Sequence, residues 1–162
     1  MSQEIERKFF LSQAPVFLDQ LEFVDIRQGY LAIEDHGTEV RIRHKADQYW
    51  LTIKSGGTLA RTEVELPVSP EQFAQLWPLT AGRRIEKRRY FRPIQDYTIE
   101  IDVFQAPIEG LFLAEIEFPS LAAAEAFVPA PWMGKEVTHH PQFKNKNLFQ
   151  FPDLHTIASQ LS

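Results

Sequence analysis

The sequence predicts a mainly β fold of the α+β type: an eight-stranded antiparallel β-barrel forming a charged tunnel, with a few flanking helices. Three observations carry this. Strand-like segments dominate the chain, and turn-like stretches such as Asp35-His36-Gly37 and Ser55-Gly56-Gly57 separate them; connections this short join antiparallel neighbours. Within the segments, charged residues recur two apart: Glu4, Glu6 and Lys8; Glu39, Arg41 and Arg43; Glu63 and Glu65; Lys87 and Arg89; Glu100 and Asp102; Glu115 and Glu117. A period of two puts each set on one face of its strand. Many of these sets are like-signed, which is costly unless a counter-ion or ligand offsets the repulsion. A half-buried sheet with its charges in water accounts for any one such strand. Six in one chain point instead to a shared polar interior, tolerable as a wet lumen and prohibitive as a dry core.

The elements follow in order. Strands are expected near 3–10, 26–34, 38–45, 48–54, 60–67, 84–92, 97–104 and 111–119. Ser69-Pro70-Glu71-Gln72 is a helix start. Ser69 is the N-cap, Pro70 the first helical position, and Gln72 completes a capping box. Phe73, Leu76 and Trp77 then form an apolar stripe at helical spacing, which reads as core. Ser120 caps a second helix ending before Pro129, and the tail from Asp153 to Leu161 has helical spacing. Residues 129–147, with three prolines and a glycine, read as an irregular loop. His36 and His44 fall at strand ends. No repeat or linker divides the chain, so one domain over residues 1–162 is expected.

The composition excludes several functions. Seventeen Lys and Arg against 22 Asp and Glu give a net charge of −5, which argues against a nucleic-acid partner. With no cysteine there is neither a disulfide framework nor a thiolate site, so any metal must take oxygen or imidazole ligands. No apolar run approaches the ~18 residues of a membrane helix, and no leader precedes the first strand, so no membrane partner and a cytoplasmic location are expected.

The ordered set of charged motifs resembles the CYTH superfamily, the triphosphate tunnel metalloenzymes. Glu4-Ile5-Glu6-Arg7-Lys8 matches its ExExK opening. Arg41-x-Arg43, Thr52-x-Lys54, Glu63-x-Glu65, Glu86-Lys87-x-Arg89, Glu100-x-Asp102, Glu115-x-Glu117 and Lys144-Asn145-Lys146 follow in order. RQGYL at 27–31, GRRIEKRRY at 82–90 and FKNK at 143–146 resemble the short bacterial members that act on inorganic triphosphate. The resemblance implies an eight-stranded tunnel and a metal-dependent triphosphatase.

The residues supply chemistry for that role. Lys8, Arg41, Arg43, Lys54, Lys87 and Arg89 share the expected lumen face and can bind phosphate, Arg as a bidentate fork and Lys as a point charge. Arg61 lies in phase with Glu63 and Glu65, and the resemblance adds Lys144, Lys146 and, on the tunnel side of its strand, Tyr30. Glu4, Glu6, Glu63, Glu65, Asp102, Glu115 and Glu117 form a carboxylate pool suited to Mg²⁺ or Mn²⁺. Strand one beside strand eight would set Glu4 and Glu6 against Glu115 and Glu117. Glu4 or Glu6 acting through water, or a Lys87 of lowered pKa, are the candidates to take the proton from the attacking water. The expected partner is inorganic triphosphate or another triphosphate. Alternatives are an adenylate cyclase, a thiamine or nucleoside triphosphatase of the same fold, and a non-catalytic polyphosphate-binding module. An outward apolar strand face with few helices to cover it suggests a homodimer.

Overall fold

The computed structural model describes residues 4–35, 37–55 and 62–161; His36 and Arg61 lie outside them. The strands are β1 (Ile5–Leu11), β2 (Glu22–Ile33), β3 (Glu39–Lys45), β4 (Gln48–Lys54), β5 (Glu63–Pro67), β6 (Arg84–Ile94), β7 (Tyr97–Ala106), β8 (Phe112–Phe118) and a short β9 (Lys135–Glu136). The helices are α1 (Pro70–Leu76), α2 (Leu121–Ala126), α3 (Asn145–Leu148) and α4 (Leu154–Ala158). The stretch 129–147, expected as an irregular loop, therefore carries β9 and the start of α3.

One antiparallel sheet runs β5-β4-β3-β2-β6-β7-β8-β1-β9. The expected pairing of strands one and eight is present, with Glu6 opposite Glu117 and Lys8 opposite Glu115. The expected closure is not, because no pairing among the described residues joins β5 to β1. The C-terminal segment occupies the edge of β1 that closure would need. Residues Lys135 and Glu136 pair with Phe10 and Phe9, Val137 N–H donates to Lys8 O at 2.8 Å, and Lys8 N–H donates to Thr138 Oγ1 at 3.0 Å. The sheet nevertheless curls on itself: Lys54, at the end of β4, reaches to 3.9 Å from Glu4, just ahead of β1.

The two faces of the curl differ. On the outer face of β1, β7 and β8, Phe9, Ile99, Ile101, Ala114 and Ile116 are buried with Leu18, Ala124 and Met133. The chain's own 3₁₀ turn near Leu18, α2 and the segment around Met133 thus cover this apolar surface. On the inner face, Tyr30, Ile85, Phe104 and Leu113 pack with Val137, Phe143, Leu148 and Ile157 of the C-terminal segment. This apolar floor fills one part of the lumen, and the charged residues occupy the rest.

Local chemistry fixes the connections. The Ser69 side chain accepts from Gln72 N–H at 3.0 Å, and the Gln72 side chain accepts from Ser69 N–H at 2.8 Å. This is the capping box read from the sequence, so Ser69→Ala should cost about 1 kcal/mol in a denaturant titration. Ser120 and Asp153 cap α2 and α4. Gly29 allows a close crossing: a Cβ there would lie 2.5 Å from Thr80 Cβ, where the 77–80 turn crosses β2.

Candidate active site

The strand registers assemble the site. Glu39, Arg41, Arg43 and Lys45 of β3 stand opposite Lys54, Thr52, Trp50 and Gln48 of β4. Lys54 and Thr52 stand opposite Glu63 and Glu65 of β5. Through β2, Arg43 neighbours Gln28 and Arg41 neighbours Tyr30. On the other wall Arg89 pairs with Asp102, Glu100 with Glu115, Lys8 with Glu115 and Glu6 with Glu117. Residues directly opposite in an antiparallel pair share a face. The period-two charges thus line one curved surface.

Asp102 is the hub of one wall. It is fully buried and accepts from Lys87 Nζ at 2.6 Å, Arg89 Nε at 2.7 Å and Arg89 Nη2 at 2.8 Å. Both of its oxygens are therefore engaged by cations, and it stands behind Lys87 and Arg89. Burial works to raise its pKa, but Lys87 and Arg89 outweigh this and hold it well below the usual carboxylate range. Burial also pulls Lys87 down to about 8, against the opposing pull of Asp102. Arg89 Nη1 lies 2.5 Å from Glu100, and its Nη2 lies 3.6 Å from Glu115. Lys8 lies 3.1 Å from Glu115 and donates to Phe143 O at 3.2 Å. Burial lowers the pKa of Lys8, but Glu115 and Glu6 more than compensate and leave it raised.

The β3 wall is different. Arg41 is buried, and its Nε has no hydrogen-bond partner among the described residues. Arg43 Nε donates to Gln28 Oε1 at 3.0 Å. Burial, then repulsion from Arg41 and Arg89, lowers Arg43 to about 10. Neither guanidinium forms an ion pair with a carboxylate among the described residues. Tyr30 is buried on this face, in the floor, with its ring 6.0 Å from that of Phe149.

The remaining candidates lie around the rim. Glu6, Glu115 and Glu117 line a cavity of about 500 Å³ together with Glu100, Asp96 and Thr98. Burial, then Glu115, raises the pKa of Glu6, with Glu4 adding to the effect. Lys54 sits between Glu4 at 3.9 Å and Glu63 at 3.8 Å. Glu65 is exposed and accepts from Thr52 Oγ1 at 3.3 Å. Lys146 approaches Glu39 at 3.5 Å. Lys144 is exposed and makes no ion pair among the described residues.

A hard divalent cation fits this donor set in chemistry. The available ligands are carboxylate oxygens, and burial, then the neighbouring charges of Glu115 and Glu4, disfavour the Glu6 carboxylate, a cost that a cation would offset. Among the described residues no three carboxylates already converge on one point; Glu6, Glu115 and Glu117 are spread around the cavity wall.

Four lumen residues were not singled out as site residues by the sequence reading: Gln28, Glu39, Lys45 and Glu100. Glu39 and Glu100 stand in the period-two sets without a role attached, and Lys45 is in phase with Arg41 and Arg43, so the same period extends to it. Gln28 carries no charge, and only its place two residues before Tyr30 marks it.

The chain and its fold match known proteins. The model of the CYTH domain matches residues 2–137. The inorganic triphosphatase of Nitrosomonas europaea is 44% identical over 146 residues, 90% of this chain and 95% of that protein. The inorganic triphosphatase of Acetivibrio thermocellus is 34% identical over 154 residues, 94% and 96% of the two chains. The crystal structure of the inorganic triphosphatase NE1496 superposes with a TM-score of 0.72 at 41% identity, covering 93% of this chain and 97% of that one. With its motifs in order on one curved sheet and a match along most of its length, the chain belongs to the CYTH domain family.

Proposed function

We propose that this chain is a metal-dependent hydrolase that converts inorganic triphosphate to pyrophosphate and phosphate. The observation that carries the reading is the asymmetry of the lumen. One wall presents Arg41 and Arg43 without carboxylate partners, and the opposite wall presents Glu6, Glu115 and Glu117 around a cavity. The relatives named inorganic triphosphatase support the same conclusion.

Each group then has a task. Arg41 and Arg43 bind phosphate oxygens in a confined site where charge-assisted bonds are strong. Lys8 and Arg89, poised beside Glu115, add positive charge at the opposite wall. Asp102 acts as a positioning residue, fixing Lys87 and Arg89. Tyr30 packs in the floor beside Arg41, Lys54 holds Glu63 at the rim, and Lys146 holds the buried Glu39. Glu4, Glu6, Glu63, Glu65, Glu115 and Glu117 are the pool that would hold Mg²⁺ or Mn²⁺. The ion would neutralise charge developing on the phosphoryl oxygens and acidify water. Glu6, at the cavity and with a raised pKa, is better placed to take a proton from water than Lys87, whose Nζ is buried against Asp102. Residues 1–162 act as one tunnel domain in the cytoplasm. The exposed Ile53, Val64 and Leu66 at the β4–β5 edge support a homodimer.

Phosphate release from triphosphate, ATP and pyrophosphate, with Mg²⁺, Mn²⁺ or a chelator, tests the reading. Triphosphate should be preferred over ATP by at least about tenfold in kcat/KM, about 1.4 kcal/mol in transition-state binding. Turnover should vanish with the chelator. Cyclic AMP as the main product from ATP, with triphosphate left intact, would reverse the assignment.

A further inference from the structure

We infer that Glu100 competes with a substrate phosphate for Arg89, and that Lys45 is the cation that receives Glu100 when it is displaced. The inference rests on the triphosphate reading above and adds two residues to the phosphate-recognition machinery.

The geometry divides the nitrogens of Arg89 into two classes. Nε and Nη2 are given to Asp102 in a bidentate pair at 2.7 and 2.8 Å, fully buried. That contact is structural, since releasing it would strand Asp102 with Lys87 alone. Nη1 is the remaining nitrogen, and it meets Glu100 Oε2 at 2.5 Å. Glu100 lines the cavity together with Glu115, so a phosphate oxygen that takes the place of the Glu100 carboxylate gains this nitrogen.

Glu100 is also the most weakly held carboxylate of the cluster. A third of its side chain is exposed, whereas Asp102 has no exposure at all. Burial disfavours its charge, and Glu115 and Asp102 repel it, against the attraction of Arg89 and, less strongly, of Lys45. A doubly or triply charged phosphate offers Arg89 more charge than one carboxylate does. The exchange therefore runs towards phosphate.

Lys45 stands ready for the displaced group. It follows Arg43 on the same face of β3, and its ammonium forms no ion pair among the described residues. Its Nζ lies 5.9 Å from the ring of Phe91, and Phe91 is the cross-strand partner of Glu100. Lys45 and Glu100 attract one another, while Arg89 and Arg43 repel Lys45. A carboxylate leaving Arg89 finds this cation across the lumen, beside the ring of its own cross-strand partner Phe91. Receiving it would relieve the cationic crowding on β3.

The exchange on Arg89 needs no metal, so calorimetric titration of inorganic triphosphate in a chelator isolates it. Glu100→Gln should bind triphosphate about threefold more tightly than the unsubstituted protein, the size of effect a partly exposed ion pair supports. Glu100→Ala should shift affinity the same way. Lys45→Ala should weaken binding by about threefold with Glu100 present and leave it unchanged in the Glu100→Gln background, a coupling that a double-mutant cycle reads directly. A merely structural Glu100 cannot give a gain in affinity.

Unchanged or weaker binding by both Glu100 variants overturns the competition. An equal loss from Lys45→Ala in both backgrounds makes Lys45 a direct phosphate ligand and overturns its receiving role. A protein that hydrolyses triphosphate yet fails these tests, or binds none in chelator, keeps the proposed function and loses this inference. One that neither binds nor hydrolyses triphosphate loses both.

Discussion

Asp102→Asn should destabilise the protein by roughly 3–5 kcal/mol and remove most of its triphosphatase activity. The stability loss follows from what the carboxylate leaves behind. Its two oxygens receive Lys87 Nζ, Arg89 Nε and Arg89 Nη2 at 2.6–2.8 Å, and Asp102 and the Lys87 side chain have no solvent exposure. An isosteric amide keeps the shape and withdraws the negative charge, so two cations remain at close range in a poorly solvated wall. Breaking a buried pair by removing one partner costs about this much because the other charge is stranded. Lys87, already pulled down to about 8 by burial, would then be pulled down further. The activity loss follows from the same event: Arg89 loses its bidentate anchor, and Glu100 and Glu115 alone remain to hold it. Urea unfolding and phosphate release read the two effects. A variant as stable as the parent would show that Lys87 and Arg89 can be satisfied without the carboxylate.

The same buried network marks the limit of what the sequence could disclose. Period two placed Arg41, Arg43, Lys87, Arg89, Asp102, Glu115 and Glu6 on one face, and the registers bear out that shared face. This was legible because cross-strand partners inherit their side from alternation alone. The sequence could not show which of these charges neutralise each other. That Asp102 turns both oxygens to Lys87 and Arg89, while Arg41 and Arg43 meet no carboxylate among the described residues, depends on side-chain reach across strands. Closure was illegible for a similar reason. Nothing in Lys135-Glu136-Val137 announces that these residues will occupy the edge of β1, since two residues are too short for a strand pattern. The floor also escaped notice, because Phe143 buries with Phe104 and Leu113 from a proline-rich stretch that reads as loop.

Arg43→Met should separate function from stability in the direction opposite to the general trend for core substitutions. Arg43 is largely buried beside Arg41 and Arg89, with Gln28 Oε1 at 3.0 Å as its acceptor and no carboxylate among the described residues in an ion pair with it. Burial, Arg41 and Arg89 together lower its pKa to about 10, so at neutral pH it still carries its charge, at a cost to the fold. Removing the guanidinium leaves Gln28 without its donor, a loss of about 1 kcal/mol, and relieves a comparable burden of buried like charge. The net change in a urea titration should therefore stay within about 1 kcal/mol and can favour the variant. Activity has no such compensation. A guanidinium without a carboxylate partner in a confined lumen is the group best able to take up phosphate charge that grows towards the transition state, as charge-assisted bonds of this kind contribute ~1.5–3 kcal/mol. The value of kcat/KM for triphosphate should fall by about 100-fold, equivalent to about 2.7 kcal/mol. Parallel phosphate-release and unfolding curves decide the matter. Retained activity would remove Arg43 from the phosphate site, and a collapse in stability like that expected for Asp102→Asn would show that Arg43 is a structural charge rather than one held for the substrate.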